Sequence, residues 1–238
     1  MRILALDTSG ESVSVAAIDG ARVLFEAIER TGQTHSARLL TMVESALTAA
    51  GWQIGDVERI AAVVGPGSYT GVRIGVSTAR GLAQAAGLPC VGLDALEVLA
   101  AQTIGLRLGM VCPLLDARAG QVYGALFDCN ADTPIRLAND IASPLVNLLV
   151  RDQDGVSTLV NTSSPIAFIG GGAIVMKDKI IECLGDRAFI LPESFQHPRA
   201  SAAGLLAANK PTLTYNELVP LYLRAPQAER ERAAREGS

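Results

Sequence analysis

Two aspartates close strand-like runs and are followed by the small residues of a tight turn. They are Asp7, in Asp7-Thr8-Ser9-Gly10, and Asp116, in Asp116-Ala117-Arg118-Ala119-Gly120. A turn of this kind presents backbone N–H groups, and its glycine lets a phosphate come close. The carboxylate can hold a metal-bound water or orient the turn. A third segment, Gly170-Gly171-Gly172, precedes a predicted helix and could take an adenosine or a phosphate. The same residues are also what plain tight turns need, so each segment alone is a weak signal. A phosphoryl-transfer enzyme would need a carboxylate poised at a γ-phosphate, and no third acid joins Asp7 and Asp116 in a clear cluster. A hydrolase would need a nucleophile–base pair or a metal, for which the two isolated histidines, His35 and His197, give poor support. Cys90, Cys112, Cys129 and Cys183 form no C-x-x-C pair and read as buried thiols of a reducing compartment.

Hairpins, helices and buried strands must position these turns. Arg2–Thr8, Ser12–Ile18 and Val23–Glu29 read as three strands joined by Ser9-Gly10-Glu11 and Asp19-Gly20. Thr34 can cap a helix with Leu39, Val43, Ala46, Leu47 and Ala50 on one face, ending at Gly51. A buried strand, Ile60–Val64, runs into Gly65-Pro66-Gly67-Ser68, and Thr70 is expected to cap a second helix reaching Ala86. A strand near Pro89–Gly92 and a helix near Ala95–Thr103 follow. The later half predicts strands at Met110–Asp116, Gln121–Phe127 and Ile135–Leu137, then a helix from Ser143-Pro144 to about Asp152. After a polar loop over 151–164 come a strand at Ile166–Ile169, a helix over Ala173–Leu184 and a last helix around Ser201–Asn209.

The two series share a ruler. Asp7 and Asp19 are 12 positions apart, and so are Asp116 and Asp128. The glycine turns begin 58 residues after Asp7 and 54 after Asp116. Matching offsets in order imply an internal duplication. The expected units are 1–105, 106–225 and a charged, solvated tail over 226–238. Facing hairpins with a glycine turn are how duplicated actin-like ATPases hold nucleotide. Spacing alone therefore reads as an α/β chain built from two duplicated hairpin-led units.

Composition narrows the function classes. The 238 residues are 49% hydrophobic, enough for real cores, and the formal net charge is −4 with only 4% aromatics. A stand-alone RNA binder usually shows a basic face or stacking aromatics, so any service to RNA is expected to run through a partner. The apolar runs are too short to span a bilayer, and the N-terminus carries no signal-peptide pattern, which points to a cytoplasmic protein away from membranes.

Ile3-Leu4-Ala5-Leu6-Asp7-Thr8-Ser9, His35-Ser36 and Gly65-Pro66-Gly67-Ser68-Tyr69-Thr70-Gly71-Val72-Arg73-Ile74-Gly75 resemble the TsaB family in order and spacing. Gly81-Leu82-Ala83, Leu88-Pro89, Asp116 to Tyr123 and Pro220-Leu221-Tyr222-Leu223-Arg224 add to the resemblance, which covers about residues 1 to 225. The family implies an α/β, duplicated actin-like, ribonuclease-H-like fold of two mixed-sheet subdomains, and a non-catalytic subunit of the tRNA threonylcarbamoyladenosine machinery. Its implied partners are the catalytic paralogue TsaD and the small ATPase TsaE, with tRNA met only through the complex and a homodimer possible when alone. The paralogue carries two metal-ligating histidines four apart. Registered on Leu88-Pro89, their positions fall on Ala95 and Leu99, which have no donor atoms. The resemblance therefore implies no catalytic residue, no intrinsic cofactor or metal, and at most ATP or ADP bound weakly or at a partner interface. The residues for that would be Asp7, Thr8, Ser9, Gly10, Asp116, Arg118, Gly120, Gly170, Gly171 and Gly172. It also implies a partner interface on the first two helices. Gly71, Gly75, Ala79 and Ala83 form a small-residue stripe that another helix could approach, with Arg73, His35, Leu39, Leu40, Met42 and Val43 beside it. The competing readings are that the stripe packs on the chain's own sheet, and that the chain is a stand-alone actin-fold ATPase, a small-molecule kinase or a glycoprotease-like hydrolase.

Overall fold

A computed structural model describes residues 1–30, 35–149 and 164–223. The first half is a meander of β1 (Arg2–Asp7), β2 (Val13–Asp19) and β3 (Arg22–Glu29), followed by α1 (His35–Ala50), β4 (Arg59–Gly65), α2 (Tyr69–Ala86), β5 (Cys90–Asp94) and α3 (Ala95–Ala101). β4 joins β1 in parallel, and the sheet order is β3-β2-β1-β4-β5. The second half has β6 (Met110–Asp116), β7 (Gln121–Asp128), β8 (Ile135–Pro144), α4 (Leu145–Leu149), β9 (Ile166–Ile169), α5 (Gly171–Val175), α6 (Lys177–Leu184), β10 (Ala188–Ile190) and α7 (Ala200–Ala207). Its order, read from the β8 edge, is β8-β7-β6-β9-β10, which repeats the first sheet strand for strand. The duplication inferred from spacing is thus a duplication of topology.

Strand side chains alternate between faces, and this splits the core into layers. On β1, Leu4 and Leu6 point to a cluster shared with α1 and α2, while Ile3 and Ala5 point to a cluster between the two sheets. On β6, Cys112 and Leu114 point to the outer helices of the second half, while Val111 and Leu115 join that same central cluster. The helices between the sheets are exchanged. α3 leaves the first sheet and packs on β6 and β7, and α7 leaves the second sheet and packs on β1 and β2.

Several expectations need correction. Ser68, not Thr70, caps α2, its Oγ accepting from Gly71 N at 3.2 Å. Ser143 and Pro144 do not start a helix. They pair with Val122 and Gln121 as the end of β8, and the helix is the short α4. The helix expected over Ala173–Leu184 is broken at Met176 into α5 and α6. The segment expected within a C-terminal unit of 106–225 crosses back to the first half. Besides α7, Leu213 exchanges hydrogen bonds with Cys90 at 2.7 and 2.8 Å, Leu218 is buried under α2, and Leu221 N donates to Val64 O at 2.7 Å. Cys183 is exposed, whereas Cys90, Cys112 and Cys129 are buried thiols. The Thr34 cap, the polar loop over 151–163 and the 226–238 tail lie outside the described residues.

Candidate functional site

The first hairpin turn is closed. Asp7 ends β1 with 1% of its surface exposed, and Thr8, Ser9 and Ser12 are buried with it. Asp7 Oδ1 accepts from Ser9 N at 2.9 Å, but Oδ2, Ser9 Oγ and Ser12 Oγ have no hydrogen-bond partner among the described residues. Burial outweighs the Ser9 and Thr8 hydrogen bonds and pushes the Asp7 carboxyl up from 3.8 to about 6. Thr8 is locked from the other side, its Oγ1 donating to Gly71 O at 2.7 Å. Ser68 N donates to Ser9 O at 2.7 Å, and a Cβ at Gly67 would collide with that carbonyl. Gly10 faces Pro198, with only van der Waals space between them.

The second hairpin has the same local chemistry in the open. Asp116 is exposed, and its Oδ1 accepts from Arg118 N at 2.8 Å. Arg118, Ala119 and Gly120 all take the left-handed region, with φ of 63°, 52° and 71°. Only the last is a residue that does so without cost. The glycine turn after β9 is tied to packing. Gly170 has φ 101°, a Cβ there would strike Leu114 O, and a Cβ at Gly172 would lie 2.8 Å from the Leu115 carbonyl carbon. Gly171 alone faces open space.

The interface reading of the stripe is overturned in its main part. Gly71, Gly75 and Ala79 are buried against the chain's own first sheet. A Cβ at Gly71 would strike Thr8 O, and one at Gly75 would strike Thr8 Oγ1. The stripe exists because α2 must come this close to β1 for the hairpin turn to be held. Leu39, Met42 and Val43 also point inward, into the cluster under α1 and α2. Leu40, 53% exposed, and Arg73 remain on the surface. The His35 side chain lies outside the described residues. The outer surface of the two helices is small and sparsely charged. Ala37, Thr41, Glu44 and Thr48 are exposed on α1, and Ser77, Gly81 and Ala85 on α2. Ser77, Gly81 and Ala85 follow the same four-residue spacing that drew attention to the inward stripe. The spacing alone does not say which of the two faces the sheet.

Ala95 and Leu99 are fully buried at the start of α3, within the central cluster. Asp94 caps that helix, accepting from Leu96 N at 2.7 Å and Glu97 N at 3.0 Å. The turn of backbone that would carry ligand histidines is here a packed helix start. Among the described residues no group of three His, Cys, Asp or Glu side chains could hold a metal ion, and no helix is long and apolar enough to cross a membrane.

Comparison with known proteins agrees with this architecture. The family model for TsaD, tRNA N6-adenosine threonylcarbamoyltransferase, matches residues 28–232. The tRNA threonylcarbamoyladenosine biosynthesis protein TsaB of Bacillus subtilis is 33% identical over 234 residues, 96% of each chain. The structure of YeaZ from Pseudomonas aeruginosa superposes with a TM-score of 0.78 at 27% identity, covering 93% of this chain and 99% of that one. Component A of the (R)-2-hydroxyglutaryl-CoA dehydratase of Acidaminococcus fermentans superposes at 0.50 with 14% identity over 87% of this chain and 97% of that one, a likeness of fold alone. The fold is the duplicated actin-like α/β fold. With a relative at this identity over nearly the whole of both chains, the chain belongs to the TsaB family.

Proposed function

We propose that this chain is a non-catalytic subunit in the biosynthesis of threonylcarbamoyladenosine on tRNA, and that it binds and supports the catalytic paralogue TsaD. The observation that carries this reading is the burial of Ala95 and Leu99 where the resemblance places the paralogue's metal ligands. Family membership supplies the pathway. The closed first hairpin supports the same reading, because a carboxyl buried together with Thr8, Ser9 and Ser12 is badly placed to meet a γ-phosphate. The docking face is the outer surface of α1 and α2. Leu40 gives it an apolar anchor, and Gly81 and Ser77 let a partner helix approach to about 8–10 Å. TsaE, and tRNA through the complex, join that assembly. Alone, the same face can pair with a second copy. Nucleotide, where it binds, sits weakly at the open second hairpin around Asp116, Arg118 and Gly120.

The test is reconstitution. Threonylcarbamoyl transfer to tRNA is measured with TsaD and TsaE, with and without this chain. The expected outcome is no transfer by this chain alone and transfer by TsaD that depends on it. Robust turnover by the pure chain, lost in Asp7→Ala, would overturn the reading. Gly81→Arg places a long cation on an exposed, unobstructed position. It should keep or raise the melting temperature, since arginine favours a helix over glycine, and abolish TsaD capture.

A further inference from the structure

A cavity of about 360 Å³ opens between the two exchanged helices, well away from both hairpin turns in sequence. Its walls come from the C-terminal end of α3, from α7, from the β7–β8 turn and from Phe195, so both halves of the duplication contribute. That volume is near the small end of the range for ligand sites, roughly 300–1,000 Å³. The lining is more apolar than polar, with Ile104, Phe195, Ala202, Leu205 and Leu206 as the body. Leu205 leaves 40% of its surface exposed there, although its neighbours on α7 are buried in the central cluster.

The polar groups around the cavity are unequal. The Arg199 guanidinium is engaged by Glu26, with Nε 3.1 Å from Oε2 and Nη2 on the same oxygen. Gln102 Nε2 donates to His197 O at 3.1 Å, and Gln102 Oε1 is buried without a hydrogen-bond partner among the described residues. Asp132, exposed at the rim with Thr133, has no ion pair or hydrogen bond among the described residues. Among the described lining residues the cavity therefore offers one unpaired carboxylate, one cation already paired with Glu26, the neutral polar side chains of Thr133, Ser201 and Asn209, and an apolar body. An anion would meet Asp132 without a compensating charge, and a ligand polar all round would leave part of its surface against leucine and phenylalanine. A cationic head on an apolar body satisfies both parts.

We propose that this cavity is a binding site for a small amine, with its ammonium group at Asp132 and a ring-sized apolar body between Leu205, Ile104 and Phe195. Such a ligand touches α3, α7 and the β7–β8 turn together, so it ties the two halves to each other. The site is independent of the role in tRNA modification.

The probes are 2-phenylethylamine, 2-phenylethanol and phenylacetate, which share a shape and differ in charge. Each is titrated into the full-length, isotopically labelled chain by NMR. The amine should give saturable shifts at Ala101–Ile104 and Ser201–Asn209, should bind at least ten-fold tighter than the acid, and should raise the melting temperature. In Asp132→Asn, which removes an exposed charge without a partner, the amine should fall to the affinity of the alcohol. In Leu205→Ala all three should weaken together. No saturable shifts on α3 and α7, equal binding of amine and acid, or an amine preference that survives Asp132→Asn would each overturn the proposal.

Discussion

The two hairpin turns began as one design and now differ in access. Both follow a strand that ends in aspartate, and in both the carboxylate accepts from the backbone N–H two residues on, at 2.9 Å in the first and 2.8 Å in the second. The first is packed against α2 and holds a buried carboxyl. The second stands in solvent on a turn of left-handed residues. Local chemistry was preserved and its surroundings were not. On the reading proposed above, the buried first turn is closed to a nucleotide and the exposed second turn is the one left to meet it. The same sealing explains why α2 has glycine and alanine on its inner face. The turn at Thr8 and Ser9 is held by backbone contacts that only small residues allow.

The harshest way to break the comparison is Gly75→Leu. Helix propensity favours leucine, but the new side chain would start in the place of Thr8 Oγ1. Overpacking costs about 1–3 kcal/mol and more where backbone must move. The first half should lose cooperative unfolding by circular dichroism, and a folded, normally melting variant would show that α2 does not hold the turn.

Next in size is the charge on Asp7. Its folded value of about 6 lies above the ordinary 3.8, so the fold binds this proton more tightly than the unfolded chain does. The stabilisation is complete below about pH 4 and is lost as pH rises through 6. At about 1.4 kcal/mol per unit this amounts to about 3 kcal/mol. Asp7→Asn should remove that slope in denaturant unfolding measured from pH 4 to 8. It should also gain about 2 kcal/mol at pH 7.5, provided the amide oxygen still accepts from Ser9 N. Asp116→Asn, on the exposed turn, should bring no comparable gain at pH 7.5, and equal gains from the two substitutions would erase the distinction between the hairpins.

Nucleotide binding sharpens the contrast from the other side. Calorimetry of the isolated chain should show no low-micromolar ATP site. Any weak heat should fall in Arg118→Ala and persist in Asp7→Asn. Tight binding lost only in the Asp7 variant would place the functional turn in the first half.

The smallest expected effect is local to the second turn. Ala119 holds φ 52° with nothing in the described structure requiring its methyl group. Ala119→Gly should stabilise by about 0.5–1 kcal/mol, read as a shift in denaturation midpoint, because glycine reaches this region without strain.

Much of this fold was legible because strand hairpins, glycine turns and equal spacings are local signals. The strands from Arg2 to Asp7 and from Met110 to Asp116 fall where the apolar runs end in aspartate. Orientation and long-range return were not legible. A small stripe at 71, 75 and 79 has the same period as one at 77, 81 and 85, and only the sheet decides which is inside. The return of Leu213 and Leu221 to β5 and β4 is specified by backbone hydrogen bonds, which leave little mark on residue type. The hold on the first hairpin comes from Ser68 and Gly71, some sixty residues on, through contacts to the backbone of Ser9 and to Thr8.

The exchange of α3 and α7 sets an order of completion for a chain made from its N-terminus. β1 and β2 are synthesised first, yet one face of them is covered by α7, where Gly204 fits against Ile18 and Ala5. Until residues 200–207 leave the ribosome, Ile3, Ala5, Ala16 and Ile18 have no lid on that side. The part made earliest is therefore the last to become a finished folding unit. A polypeptide stopped between the two halves carries an apolar sheet face into solution, open to chaperones or to another unfinished chain.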